Sequence, residues 1–206
     1  MRIKSYEDMN LQDLDVMKEI GSIGTSHAAT ALSRLIQKDV RISIPHVSVQ
    51  GYDEAVNSIG DIEELVGATL MQISGEINGL ILFLFKMDFA GEVLKNLLGK
   101  EYNGFEDMGE LEVSALTEVG NIMMSSYINA FSKLVGLNID LSVPGFAVNM
   151  LGGILTVPIA EFGYETDKLM YFNADFLMNG KTLPDWLLML PDIQSLNLIM
   201  KKLGVS

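Results

Sequence analysis

The chain has 206 residues, of which 49% are hydrophobic, so it is long and apolar enough to bury a substantial core. It contains no cysteine, which excludes disulfide bonds and thiolate metal sites and predicts a reducing, cytoplasmic location. The net charge of −13 argues against nucleic acid and anionic membrane surfaces as partners, and the apolar runs are too short for membrane insertion.

The first half of the chain predicts a helix, a strand, a strand pair and a second helix. Apolar residues at helical spacing indicate the long first helix, and strict alternation indicates the strand after it, with Ile44 on its apolar face. The dipeptide Asn78-Gly79 is typical of a hairpin turn, and Gly99 is typical of the end of a helix. The predicted elements are a helix at 11–37, a strand at 39–49, strands at 67–76 and 79–87, and a helix at 88–98.

The second half of the chain repeats the first. A shift of 99 residues aligns the segment from Asp15 to Pro45 with the segment from Ser114 to Pro144 without a gap. The strand and helix that follow also correspond, at an offset grown to about 104, which predicts a short insertion near Asn179–Lys181. Matched positions with the same residue include Glu19 and Glu118, Gly21 and Gly120, and Pro45 and Pro144.

These observations predict an α/β (α+β) fold built from two copies of one unit. Each copy has the order long helix–strand–strand pair–helix, and neither copy could bury the apolar face of so small a sheet alone. We therefore expect one domain, residues 1–206, in which repeat 1 (about 11–100) and repeat 2 (about 109–206) share a central sheet with pseudo-twofold symmetry. Because one chain satisfies this symmetry by itself, we expect a monomer.

Each long helix carries a narrow stripe of short polar residues. The spacing i, i+4, i+7 and i+11 places the members of a stripe on one face of the helix. An ordinary solvated face explains many such stripes, but it does not require short polar residues around a single glutamate. Mid-helix glycines also cost about 0.5–1 kcal/mol each relative to alanine, which indicates close approach by a neighbouring element or a partner. The stripes are Asp15, Glu19, Ser22 and Ser26, then Ser114, Glu118, Asn121 and Ser125; the glycines are Gly21, Gly24 and Gly120.

The sequence offers no evident covalent or metal chemistry of its own. His27 and His46 are isolated, there is no cysteine nucleophile, and Glu110 stands where a phosphate-binding loop needs lysine. What remains is a carboxylate and an amide three residues apart, Glu118 and Asn121, on an exposed stripe. Such a pair suits the hydrolysis of an aspartyl phosphate carried by a partner protein, because phosphoryl transfer needs mainly positioning and charge compensation. The metal and the phosphoryl group would both come from that partner.

The pattern Asp/Ser-x3-Glu-x2-Asn-x22-Pro resembles the signature of the CheC/CheX/FliY phosphatases of bacterial chemotaxis. The second half of the chain meets this pattern in full, and the first half departs from it where Ser22 replaces asparagine. Two copies on a chain of this length resemble the two-site members of the family, and we expect no added flagellar switch domain. The matching residues are Asp15, Glu19, Ser22 and Pro45, then Ser114, Glu118, Asn121 and Pro144.

The resemblance implies that the substrate is phosphorylated CheY, a response regulator, and that CheD, a receptor-modifying deamidase, is a second partner. It implies that the glutamate contacts a lysine of the regulator and that the asparagine places the attacking water. No cofactor is expected on this chain itself, and Mg²⁺ is expected on the regulator. The catalytic candidates are Glu118 and Asn121 at the favoured second site and Glu19 and Ser22 at the first; the candidates for partner contact are Ser114 and Asp15.

The serine at position 22 puts the first site in doubt. Its side chain is shorter than that of asparagine, and loss of one positioning group typically costs about 10²–10³-fold in rate. We expect the first site to be weakened or inactive, or to serve only for docking or structure. Two rival interpretations of the whole chain stay open, namely an adaptor that binds a CheD-like deamidase without catalysis, and a structural duplication with no site.

Overall fold

Two long helices dominate the structure, a computed structural model that describes residues 2–162 and 168–205. Asn10 caps the first helix, because its side-chain oxygen accepts hydrogen bonds from the backbone N–H groups of residues 12 and 13. Both helices end at a left-handed residue, Gln37 in one case and Gly136 in the other. The helices are α1 (Leu11–Ile36), α2 (Tyr52–Ile59), α3 (Met87–Leu98), α4 (Glu110–Val135), α5 (Leu151–Phe162) and α6 (Ile193–Lys202). The strands are β1 (Val40–Ile42), β2 (His46–Gly51), β3 (Leu65–Gly75), β4 (Gly79–Phe85), β5 (Ile139–Leu141), β6 (Gly145–Met150), β7 (Lys168–Met178) and β8 (Lys181–Pro191).

The eight strands form one antiparallel sheet in which the two halves exchange strands. Strands β1 and β2 of the first half pair with β7 of the second, and β5 and β6 of the second half pair with β3 of the first. The hairpins β3–β4 and β7–β8 meet at the centre, where β4 pairs with β8. The predicted shared sheet is confirmed, and its pseudo-twofold axis passes between β4 and β8.

The mid-helix glycines let the long helices lie close to the sheet. A β-carbon at Gly21 would collide with the ring of Phe172 on β7, and a β-carbon at Gly120 would collide with Thr69 on β3. Each helix therefore packs against a strand of the other half, at equivalent positions. Gly24 allows the same close approach where α1 packs against α4. The close approach predicted from these glycines is confirmed, and neighbouring elements of the chain make it.

The single strand predicted at 39–49 is wrong, because the structure has two strands there with Pro45 between them. The repeat is interrupted in the same way at Pro144. Proline has no N–H to donate, so it breaks strand pairing and redirects the chain. Ile44 is therefore 78% exposed instead of lying on a buried face, and the equivalent Val143 is 86% exposed.

The patterns in the sequence do not predict the short helices α2 and α5. Helix α5 contains Gly152, Gly153 and Pro158, which are unfavourable inside helices, yet its buried face packs against the sheet. It has 12 residues and α2 has 8, so most of the extra length of the second half arises here. None of the helices in the described part of the chain is both long and apolar enough to cross a membrane.

Both hairpin turns differ from the predicted ones. The insertion predicted near Asn179–Lys181 is for the most part misplaced, because α5 accounts for most of the extra length. The first two of these residues form a tight turn with φ of 51° and 78°. The turn predicted at Asn78-Gly79 is a three-residue loop at 76–78, and Gly79 already belongs to β4. The residue with positive φ in this hairpin is Gly75, at 106°.

Candidate functional site

The stripe on α4 contains a hydrogen-bonded carboxylate and amide. Asn121 Nδ2 donates to Glu118 Oε2 at 3.2 Å, and Ser125 Oγ donates to Asn121 Oδ1 at 3.4 Å. Glu118 is exposed and the other two residues are half-buried. The apolar side of the same turns is buried, with Val119 and Gly120 facing the protein. The packing of α4 on the sheet therefore keeps the pair at the surface.

The equivalent stripe on α1 lacks this arrangement. Glu19 is exposed and Ser22 is half-buried, and no side-chain hydrogen bond joins them within the described residues. Ser26 Oγ donates to the backbone carbonyl of Ser22 at 2.7 Å, so it supports no side chain of the stripe. The structure thus brings Glu118 and Asn121 into contact and leaves the side chains of Glu19 and Ser22 apart.

Asp15 and Ser114 lie one turn before the glutamate of their stripe, and both are exposed. Neither side chain has a hydrogen bond or an ion pair among residues 2–162 and 168–205. Both are therefore available to a partner, as a contact residue must be.

The chemistry of the α4 pair follows from its free hydrogen-bonding capacity. Glu118 uses one carboxylate oxygen for the amide and keeps the other for a cationic donor. Asn121 Oδ1 accepts one long hydrogen bond, so a lone pair remains that can orient a water molecule. Within the described residues, no group of three or more histidine, aspartate or glutamate side chains is placed to hold a metal ion. The pair can therefore position a water molecule and compensate the charge of a cationic group.

The contact that Ser125 makes with Asn121 is not among the roles predicted from the sequence. Ser125 lies four residues after Asn121, which puts the two side chains on adjacent turns of the helix. That spacing is the signal that predicts the contact.

Comparison with known proteins identifies relatives over the whole chain. The sequence model of the CheC-like family matches residues 13–49 and 111–148, which contain both polar stripes. The CheY-P phosphatase CheC of Bacillus subtilis (strain 168) is 26% identical over 205 residues, covering 98% of each chain. The FliY structure of Thermotoga maritima superimposes with a TM-score of 0.76 at 18% identity, covering 96% of this chain and 99% of that one. A chain of the CheX–CheY–BeF3–Mg complex of Borrelia burgdorferi gives a TM-score of 0.54 at 17% identity, covering 81% and 94%.

The fold and the site define a duplicated α+β domain that presents a carboxylate–amide pair on a long surface helix. The two matched segments begin in α1 and α4 and end in β2 and β6, so each covers the first part of one repeat. The chain is similar to the CheC-like family over these two segments and to its relatives over nearly its full length. The resemblance to CheC, CheX and FliY inferred from the residues is thereby confirmed.

Proposed function

We propose that this protein is a phosphatase that hydrolyses the aspartyl phosphate of a CheY-like response regulator. The observation that carries the proposal is the exposed pair on α4, in which Asn121 contacts Glu118 at 3.2 Å within a segment that matches the CheC-like family. The names of the relatives support the same reaction, since the B. subtilis relative is a CheY-P phosphatase. They also support the partner, since one similar fold comes from a complex with CheY.

The reaction needs a water molecule in line with the phosphorus atom. The water oxygen forms a bond to phosphorus as the bond from phosphorus to the aspartate oxygen breaks, which releases inorganic phosphate and a free carboxylate. Asn121 Oδ1 accepts a hydrogen bond from that water and fixes its direction. Glu118 accepts a hydrogen bond from a lysine of the regulator and so sets the position of α4 over the acyl phosphate. Mg²⁺ would be held by the regulator.

We expect the second site to account for most of the turnover. Ser22 has a hydroxyl where the pattern has an amide, and it makes no contact with Glu19 in the described structure. A water held by Ser22 would therefore lie closer to the helix than one held by Asn121. We place the first site in a docking role, with little turnover of its own.

Phosphate release from a phosphorylated CheY-like regulator tests the proposal. Asn121→Ala should reduce the acceleration by about 10²–10³-fold, since it removes one positioning group, while binding of the regulator persists. Ser22→Asn should raise turnover by completing the first site. Asn129→Ala is the matched control, because Asn129 is an exposed asparagine further along the same helix. Release no faster than that of the regulator alone, with wild-type protein, would refute the phosphatase proposal.

A second candidate function is an adaptor that binds a CheD-like deamidase. The observation in its favour is the edge strand β6, which pairs only with β3 among the described residues and in which Val148 is 37% exposed and Met150 is 51% exposed. Apolar groups on an unpaired edge offer a surface for a protein partner. If the adaptor function dominates, Met150→Lys should abolish capture of the deamidase, and Asn121→Ala should leave that capture unchanged.

A further inference from the structure

Each repeat exposes one large apolar side chain at an equivalent position. Val143 is 86% exposed, more than any other large apolar side chain in the described part of the chain, and Ile44 is 78% exposed. The two residues are 99 positions apart, and each directly precedes the proline between two edge strands. A single exposed apolar residue is common on protein surfaces and needs no explanation. The same exposure in both repeats, at positions that correspond, indicates a shared role.

The backbone that carries Val143 is fixed to the sheet. The backbone N–H of Ser142 donates to the carbonyl of Gln72 on β3 at 3.0 Å, and the Ser142 hydroxyl accepts from the backbone N–H of Gln72 at 2.9 Å. Ser43 forms the same two hydrogen bonds with Asp175 on β7, at 3.0 and 2.9 Å. Val143 therefore stands on an anchored segment, so its burial by a partner would cost little conformational entropy.

The anchored segment lies beside the turn of α4 that carries the carboxylate–amide pair. A β-carbon at Gly120, which lies between the two residues of the pair, would collide with Thr69, so α4 crosses β3 at this point. Thr69 pairs with Phe146 of β6, the next strand outward. Val143 comes three residues before Phe146, which is about 10 Å along an extended chain. The exposed valine is thus about two strand spacings or less from the region under the pair.

The polar stripe of α4 faces this same edge of the sheet. Ser126, Ala130 and Lys133 line a groove between α4 and α1, so they mark the flank of α4 that faces α1. At 100° per residue, Asn121 points about 120–180° away from these three residues. Helix α1 packs on β7 and α4 packs on β3, so the flank turned away from α1 faces β5 and β6. Asn121 and Val143 therefore lie on the same side of α4.

We propose that Val143 is a docking residue that packs against an apolar surface of the CheY-like regulator while Asn121 reaches its phosphoryl group. This inference rests on the proposed function. A specific protein interface covers about 800 Å² on each partner, which corresponds to a disc of about 16 Å radius. A regulator whose acyl phosphate reaches Asn121 therefore covers Val143 as well. An apolar side chain that leaves water there stabilises the complex, and it complements the polar contacts of the pair.

Binding of a CheY-like regulator that carries beryllofluoride and Mg²⁺ tests the proposal. The dissociation constant should rise about 10-fold in Val143→Ser, because burial of one valine side chain is lost. Val143→Ile, which introduces the residue of the other repeat, should bind as tightly as wild type. The turnover number at saturating regulator should stay within about twofold of wild type in both variants, since docking acts before the chemical step.

Ile62→Ser is the matched control. Ile62 is a 51% exposed residue beyond the opposite end of β6, where its carbonyl accepts a hydrogen bond from the backbone N–H of Gly152 at 3.0 Å. This variant should bind the regulator as wild type does. Because Val143 is 86% exposed, Val143→Ser removes no core contact, and its urea midpoint should equal that of wild type.

The outcomes separate this proposal from the phosphatase proposal. If wild type accelerates phosphate release and Val143→Ser binds the regulator equally well, the docking role is overturned and the phosphatase proposal stands. A lower turnover number with unchanged affinity also overturns the docking role. If wild type binds the regulator without accelerating release, the phosphatase proposal fails, and the affinity of Val143→Ser still decides the docking role. A wild-type protein that does not bind the regulator overturns both.

Discussion

The side-chain amide of Asn121 donates to the carboxylate of Glu118 one turn earlier on α4, at 3.2 Å. The contact aligns two groups with different tasks, since the carboxylate can bind a cation and the amide oxygen can bind water. It is absent from the equivalent pair on α1. The difference between the two halves of the protein therefore allows the roles of these residues to be tested separately.

Glu118→Gln should weaken binding of the regulator more than it slows the chemical step. The substitution keeps the size of the side chain but removes its charge, and a hydrogen bond to a charged group contributes about 1.5–3 kcal/mol. That corresponds to a loss of about 10–100-fold in affinity for a regulator carrying a stable phosphate mimic, measurable by titration calorimetry. The control is Glu110→Gln, because Glu110 is an exposed glutamate at the start of the same helix and lies outside both stripes. Equal affinities for wild type and Glu118→Gln would contradict the proposed contact between Glu118 and a lysine of the regulator.

Ser125→Ala should lower the turnover number about 2- to 10-fold with little change in KM. The serine hydroxyl donates to Asn121 Oδ1 and restricts the amide to one orientation, and an ordinary hydrogen bond contributes about 0.5–1.5 kcal/mol. Steady-state phosphate release measures both constants. Ser26→Ala is the matched control, because that hydroxyl bonds only a backbone carbonyl. A similar decrease in both variants would mean that the effect comes from the helix and not from the amide.

Gly120→Ala should destabilise the protein, although alanine favours helices by about 1 kcal/mol. The new methyl group would collide with Thr69, which is fully buried, and overpacking of a core costs about 1–3 kcal/mol. Gly91→Ala is the control, since a β-carbon there meets its nearest neighbour at 3.5 Å, an ordinary contact. Urea unfolding should show a lower midpoint for Gly120→Ala and an unchanged or higher midpoint for Gly91→Ala. Equal midpoints would show that the helix can move away from the sheet.

Asp185→Asn should make the protein more stable at neutral pH and less sensitive to pH. Burial and the charge of Asp175 raise the pKa of Asp185 in the folded state above its value of about 3.9 in an unfolded chain. The folded state therefore holds this proton more tightly, and its contribution to stability is complete below pH 4 and is lost as pH rises through the folded pKa. The slope can reach about 1.4 kcal/mol per pH unit.

Urea unfolding between pH 4 and pH 8 measures this dependence. The wild-type free energy of unfolding should fall relative to that of Asp185→Asn as the pH rises. Asp175→Asn is a second test variant, because removal of the Asp175 charge should make the loss of stability with rising pH smaller. Parallel pH profiles for wild type and Asp185→Asn would show that the carboxyl group titrates normally in the folded protein.

The parts of the fold that could be predicted are those that short-range patterns determine. The 26-residue helices α1 and α4 follow from apolar spacing, and the glycine at position 99 ends α3 as expected. Helix α5 could not be predicted in this way, since two glycines and a proline hide it and only its packing against the sheet stabilises it. The exchange of strands between the two halves could not be predicted either, because an alternating pattern identifies a strand but not the strand with which it pairs.

The candidate site, too, could be predicted only in part from the sequence. Helical periodicity placed Glu118 and Asn121 on adjacent turns of one face, and the structure has their side chains in contact. The mid-helix glycines were a weaker guide to the site, because they are explained by packing on β3 and β7. The burial of Asp185 could not be predicted, because a single acidic residue beside a tryptophan in a strand has no periodic pattern that marks it as buried.

The exchange of strands between the halves has a consequence for the origin of the chain. A single unit with the same topology would have β1 and β2 but no hairpin of its own half beside them, since these strands pair with β7. Two identical copies could satisfy each other by the same exchange, which would give a homodimer with one continuous sheet. Joining the two genes end to end would then convert the dimer into one polypeptide. In one polypeptide the two stripes can differ, as they do at Ser22 and Asn121, which a symmetric dimer does not permit.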